Sequence, residues 1–123
     1  MTVHHVYAAD TLITTVEGHL DAAATRRLLR SVASAATSDG NHVLVDLRDA
    51  EDQQGLSYPE VYGIVRELAS YPEASGYRIA LVDRYRVGFE KAQFFEAAGS
   101  EAGIRVKAFL DEGEARAWLR EGT

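Results

Sequence analysis

Apolar positions switch along the chain between the alternation of a strand and the wider spacing of a helix, and the switches mark out its elements. Val3 to Ala8 and Thr11 to Glu17 are rich in Val, Ile, Thr and Tyr, which predicts two antiparallel strands about a tight turn at Ala9-Asp10. In the second, Leu12, Thr14 and Val16 share one face and Ile13, Thr15 and Glu17 the other, so polarity alone does not choose the buried side. Gly18 closes that strand. From Asp21, whose carboxylate can accept from the unpaired amides of a first helical turn, Ala24, Leu28, Val32 and Ala35 recur at helical spacing as far as Thr37. Arg26, Arg27 and Arg30 line the remaining surface and read as a solvated face. Ser38-Asp39-Gly40-Asn41 is a turn. It leads into His42-Val43-Leu44-Val45-Asp46-Leu47-Arg48-Asp49, where branched apolar residues end in charge: a buried strand emerging at a loop.

Ser57 and Glu60 then stand at capping-box spacing, each side chain able to satisfy the other's backbone amide. They open a helix from Tyr58 to Ser70 with Val61, Ile64, Val65 and Leu68 inward, and Pro59 in its first turn forfeits no hydrogen bond. Pro72 and Gly76 bracket the exit. Tyr77 to Val82 is the next strand, ending at Asp83. Gly88 to Ala98 is a third helix carrying Phe89, Ala92, Phe95 and Ala98 inward, and a Gly99-to-Gly103 loop feeds a last strand, Ile104 to Leu110. Asp111 and Glu114 repeat the capping spacing, and Ala115, Trp118 and Leu119 dock the final helix. The order β-β-α-β-α-β-α-β-α predicts an α/β domain with a mixed, mostly parallel five-stranded sheet and about four helices, since strands joined through crossover helices run parallel.

Composition narrows the chemistry. A chain of 123 residues fits one domain and can bury roughly two-thirds of its surface. With 46% apolar and 26% charged residues it is too apolar for disorder. A net charge of −6 argues against nucleic acid, which needs a basic face. The lack of cysteine excludes disulfides, thiol catalysis and zinc–thiolate sites, and suits a reducing cytoplasm. The first residues lack the apolar core of a signal peptide, and nowhere do about 18 apolar residues run together, so no membrane span is expected. A cytoplasmic protein is the expectation.

The element order and three local patterns together resemble the SpoIIAA-like superfamily. The patterns are Val43-Leu44-Val45-Asp46-Leu47-Arg48-Asp49, Arg78-Ile79-Ala80-Leu81-Val82, and Val106-Lys107-Ala108-Phe109-Leu110-Asp111 with Glu114-Ala115-Arg116-Ala117-Trp118-Leu119. That superfamily holds the STAS domains (anti-sigma-factor antagonists and relatives) and the CRAL-TRIO lipid-binding domains, and the closing strand and helix look like those of small uncharacterised STAS-like bacterial proteins. The resemblance spans nearly the whole chain and implies one SpoIIAA-like domain over residues 1–123. In antagonist-type STAS domains the loop after the central strand carries Asp-Ser-Ser-Gly-Leu, with a phosphorylated serine. Here the match is Asp52-Gln53-Gln54-Gly55-Leu56, and glutamine accepts no phosphate; Ser57, the nearest hydroxyl, is accounted for as a helix cap. The resemblance therefore implies a non-enzymatic regulatory module that binds a protein partner or its own copy, as in a homodimer, without the usual phosphoacceptor. The alternative it implies is a carrier of a small lipophilic anion.

Candidate sites gather where ligands collect in open α/β sheets, beyond the C-terminal strand ends. Those ends supply Asp46, Arg48, Asp49, Asp83, Arg84 and Asp111. Carboxylates so placed can hold a hard cation, but acids and arginines at strand exits more often pair or cap the next helix, and no metal is expected. Nor does the order of acids match a phospho-receiver domain. Tyr58, Tyr62, Tyr85, Phe89, Phe94 and Phe95, with the Arg84-Tyr85-Arg86 loop, can line an apolar pocket with a basic mouth; adjacent Phe94 and Phe95 cannot both face one way. His4, His5, His19 and His42 lack metal-ligand spacing. No nucleophile elbow or phosphate-cradling glycine loop is present, and no cofactor is expected. The candidate partner or ligand surface is accordingly Asp46, Arg48, Asp49, Gln54, Ser57, Tyr58, Tyr62, Arg84, Tyr85 and Phe89. It centres on the loop Asp49 to Ser57 and the helix Tyr58 to Ser70.

Overall fold

The computed structural model describes residues 2–8, 11–39, 42–51, 56–71, 76–86 and 88–121. The turns expected at Ala9-Asp10 and Gly40-Asn41, the stretch from Asp52 to Gly55, Pro72 and the Ala35 side chain lie outside the described residues. The elements are β1 (Thr2–Ala8), β2 (Thr11–His19), α1 (Ala22–Asp39), β3 (His42–Glu51), α2 (Tyr58–Ala69), β4 (Arg78–Val82), α3 (Phe89–Ala102), β5 (Arg105–Phe109) and α4 (Glu112–Arg120). They form the expected α/β arrangement, a five-stranded sheet in the order β1-β2-β3-β4-β5. β1 runs antiparallel to β2, and every other neighbour is parallel. No helix among the described residues is long and apolar enough to cross a membrane.

Strand alternation splits the core into two layers. Leu12, Val16, Val43, Val45, Leu47, Ile79, Leu81 and Val106 face α1, α2 and α3. Leu44, Ala80, Val82 and Phe109 face α4 through Ala115 and Leu119. The ambiguity in β2 resolves in favour of Leu12, Thr14 and Val16, all fully buried. Burying Thr14 is tolerable because its hydroxyl meets His5 Nδ1 at 2.8 Å, while His5 Nε2 meets the Ser31 hydroxyl at 2.8 Å, tying β1 to β2 and α1.

β3 departs from strict alternation. The β2–β3 register shifts between Thr15, opposite Asp46, and Glu17, opposite Asp49, so β3 holds one extra residue there. The bulge reverses the strand's faces. Leu47 and Ala50 both enter the three-helix layer although an odd number of positions separates them. Arg48 N, displaced from regular pairing, donates to Asp46 Oδ1 at 3.0 Å.

Three expectations need correction. β3 runs on to Glu51, with Asp49, Ala50 and Glu51 paired to Glu17, Gly18 and His19 of β2, so the first part of the loop expected from Asp49 to Ser57 is strand. α3 continues through Gly99 to Ala102, a turn beyond the predicted end at Ala98. Gly99 is no helix breaker: a Cβ there would stand 3.1 Å from Ile104 Cγ1 and 3.2 Å from Val106 Cγ2, so glycine lets α3 lie close against β5. Gly103, at φ 87°, ends the helix in the left-handed region that disfavours side chains. The arginine face of α1 is not merely solvated either. Arg26 Nε and Arg30 Nη2 reach Glu67 on α2 at 3.3 and 2.7 Å, clasping the two helices.

Candidate functional site

The acids at the C-terminal strand ends are occupied by their neighbours. Asp46 takes Arg48 through Nε at 2.9 Å and Nη2 at 2.8 Å, and the same Nη2 reaches Glu112 Oε1 on α4 at 2.8 Å. Glu112 Oε2 in turn accepts from Arg116 Nε at 2.9 Å, one helical turn on. The result is a chain of alternating charge that staples the end of β3 to the start of α4. Hydrogen bonds from the Arg48 guanidinium and amide, with its charge, hold the Asp46 carboxyl below the usual range against the opposing effect of burial. The same contact with Asp46 raises Arg48 further, with Glu112 adding to it.

Asp83 is 1% exposed; its Oδ1 accepts from Arg84 N at 2.8 Å and its own amide donates to Phe109 O. Arg84 Nη2 crosses to Ala50 O at 3.2 Å, joining the exits of β3 and β4. Asp111 caps α4 through Glu114 N at 2.9 Å. Asp49 is exposed. Among the described residues no three His, Asp or Glu side chains come together to hold a metal ion.

α2 opens as the sequence predicts. Ser57 Oγ accepts from Glu60 N at 3.2 Å and Glu60 Oε1 from Ser57 N at 3.0 Å. That backbone donor, with the Ser57 side chain, lowers the Glu60 carboxyl. A helix start fixed from both ends sets which residues of α2 face outward. Val61, Ile64, Val65 and Leu68 go under, leaving Tyr58 43% and Tyr62 40% exposed on successive turns. Tyr58 meets Phe94 of α3 edge-on, centroids 5.0 Å apart at 75°, and Lys91 Nζ lies 5.7 Å from the Tyr58 ring centroid. Tyr85, 65% exposed, lies under the guanidinium of Arg86 at 5.3 Å, and Phe89 is half-buried.

The pocket expected from the aromatics takes a different form. Under Leu56, between α1, α2 and α3, there is an apolar cavity of about 40 Å³, walled by Leu28, Leu47, Val61, Leu81 and Phe95 among others, with Lys91 at its rim. Of the six aromatics named from the sequence only Phe95 lines it. Ligand pockets for small organic molecules run to about 300–1,000 Å³, so this space is far smaller than a lipid needs.

The candidate residues therefore divide across the sheet. Asp46 and Arg48 project to the α4 side, whereas Ser57, Tyr58, Tyr62 and Phe89 belong to the α2–α3 side, and Arg84 spans the strand ends between them. Gln54 lies outside the described residues. The structure adds Lys91, Phe94 and Glu112. Lys91 and Phe94 are three apart on α3 and so share a face, a spacing visible in the sequence. Nothing local pairs Glu112 with Arg48, because that contact depends on the bulge in β3.

Neither a protein-family model nor a curated protein matches the chain. Its backbone is similar to solved structures. One is an uncharacterised protein of the DUF3478 family with a SpoIIAA-like fold from Shewanella loihica: 15% identity over 96% of this chain and 92% of that one, TM-score 0.57. Another is a serine-to-glutamate variant of RsbS from Moorella thermoacetica, with 14% identity, 98% and 97% coverage and TM-score 0.59. A third is the anti-sigma factor antagonist SpoIIAA in its unphosphorylated form, with 17% identity, 97% and 98% coverage and TM-score 0.54. At these identities the likeness is one of fold, and the chain has the SpoIIAA-like fold along nearly its whole length.

Proposed function

We propose that this chain is a non-enzymatic regulatory module that works by binding another protein or a second copy of itself, through the outer face of α2 and the adjoining face of α3. One observation carries the reading: Tyr58 and Tyr62 stand exposed on consecutive turns of a doubly capped helix, with Phe94 and Lys91 beside them. Tyrosine loses little conformational freedom on contact and supplies both apolar area and a hydrogen-bonding tip, which is why it concentrates binding energy at interfaces. The likeness to an anti-sigma factor antagonist supports the same class of work. With glutamines at 53 and 54, binding here is not switched by phosphate on those positions. The paired acids and arginines at the strand ends serve as staples in this account. A reducing cytoplasm suits the cysteine-free chain. A lipophilic-anion carrier with its pocket among the helices α1, α2 and α3 finds less support, because the apolar cavity there is about 40 Å³.

The experiment is the double variant Tyr58→Ala, Tyr62→Ala, compared with the parent by sedimentation velocity and by quantitative mass spectrometry of affinity-purified complexes. Both side chains are exposed, so circular dichroism should show the fold intact. Loss of self-association, or of at least one specifically enriched partner, is the expected result. An unchanged oligomeric state together with an unchanged set of partners would rule out this surface.

A further inference from the structure

The sheet has a second feature, distant from the tyrosines. β5 pairs only with β4, so its other side is an open edge. Asp83 N donates to Phe109 O, which turns the backbone groups of 105, 107 and 109 toward β4 and those of 106 and 108 outward. Along this edge runs a groove of about 420 Å³, lined by Glu96 of α3, Trp118 of α4, Arg78 of β4, and Arg105, Val106 and Lys107 of β5 among others. Ile104 N is taken by Gly99 O and Ala108 N by Glu96 Oε1, at 2.9 and 2.8 Å. The amide and carbonyl of Val106, which lines the groove, and the carbonyl of Ala108 beyond it point away from β4 along the open edge.

Its charge runs against that of the chain. In a protein of net charge −6, Arg78 and Arg105 are direct register partners on neighbouring strands, and Lys107 follows on the same face. Like charges side by side on a sheet oppose its stability. Arg78 is partly compensated by Trp118 O at 2.8 Å, the Trp118 ring at 4.9 Å and a distant Glu121 at 3.8 Å. Arg105 and Lys107 have no carboxylate within ion-pair distance among the described residues; Lys107 lies only over the Phe109 ring, at 5.6 Å. Lysines on an edge usually hold further strands away. Here the repulsion is selective, since it deters a neutral or cationic strand and rewards an acidic one.

We propose that this edge receives an extended, acidic segment of a partner protein, which adds to β5 as a sixth strand with carboxylates at alternate positions against Arg105 and Lys107. Backbone pairing would use Val106 and Ala108, and charge complementarity would supply the selection.

Fluorescence anisotropy on the intact protein tests this with a short labelled peptide of alternating Glu and Val. Four comparisons accompany it: the same sequence with Lys for Glu; two versions N-methylated on alternate amides, one in each phase; inorganic phosphate as competitor; and the variant Arg105→Glu, Lys107→Glu. The expected result is binding of the acidic peptide alone, loss in one methylation phase, weakening of at least about tenfold in the double variant, and no displacement by phosphate at matched ionic strength. Absence of binding overturns the proposal. So does binding that survives methylation in both phases, or that phosphate abolishes, since either would leave only an anion site. Tyr58→Ala, Tyr62→Ala should bind the peptide like the parent, which separates this edge from the α2 surface.

Discussion

Asp46 concentrates several demands in one side chain. It accepts the amide displaced by the β3 bulge, pairs with Arg48 and thereby links β3 to α4. Its carboxylate is 13% exposed, whereas Arg48 is 40% exposed, so solvent screening moderates the pair. Asp46→Asn is expected to cost about 1–2 kcal/mol at neutral pH, measured by urea unfolding. Because folding lowers the Asp46 pKa beneath the ordinary aspartate value, its contribution is complete above that ordinary value and is lost as pH falls through the folded one. The gap between parent and variant should therefore close in acid, and a gap as wide at pH ~2.5 as at neutrality would contradict the assignment. Gly103 makes a different demand, on backbone alone. At φ 87° an alanine would be strained although no atom lies within 4 Å of its Cβ, so Gly103→Ala should destabilise by about 1–2 kcal/mol, with Asn tolerated better.

Between elements, legibility followed the range of the signal. Capping at Ser57 and Asp111 and the buried stripe of α2 depend on residues within a turn or two, and they stood in the sequence. The end of α3 did not: Gly99 carries the local mark of a breaker, and only its approach to Ile104 and Val106 on β5 explains it as a packing residue. The bulge in β3 was hidden for the same reason, since the partner strand defines it. The clasp of Arg26 and Arg30 on Glu67 joins residues distant in sequence, so the arginines alone suggest only a wet face. Glu67 is held below its usual pKa chiefly by its hydrogen bond from Arg30. Glu67→Gln should lower the melting temperature by loosening α1 from α2, and high salt should shrink the difference between variant and parent. A difference that salt leaves untouched would mean that the clasp acts through packing instead.

For the molecule as a whole, element order foretold the mixed sheet, because crossover helices impose parallel neighbours; the strand order that puts β3 at the centre is seen only in the structure. The candidate surface was legible as a list but not as a place. Residues of consecutive elements, late in β3 and early in α2, go to opposite faces of the sheet, so Asp46 and Arg48 stabilise the α4 layer while Tyr58 and Tyr62 look outward from the other. Function, in this account, follows from that division. One end of β3 is locked internally, and the aromatic face of α2 is left available for contact. The most direct measurement is photo-crosslinking in the native cells with a benzophenone amino acid at Tyr62, against the same group at exposed His4 on β1, the sheet edge opposite β5. A discrete cross-linked species, partner or second copy, is expected at 62 and none at 4. No adduct at 62, or the same adduct at both positions, would overturn the assignment of the α2 face.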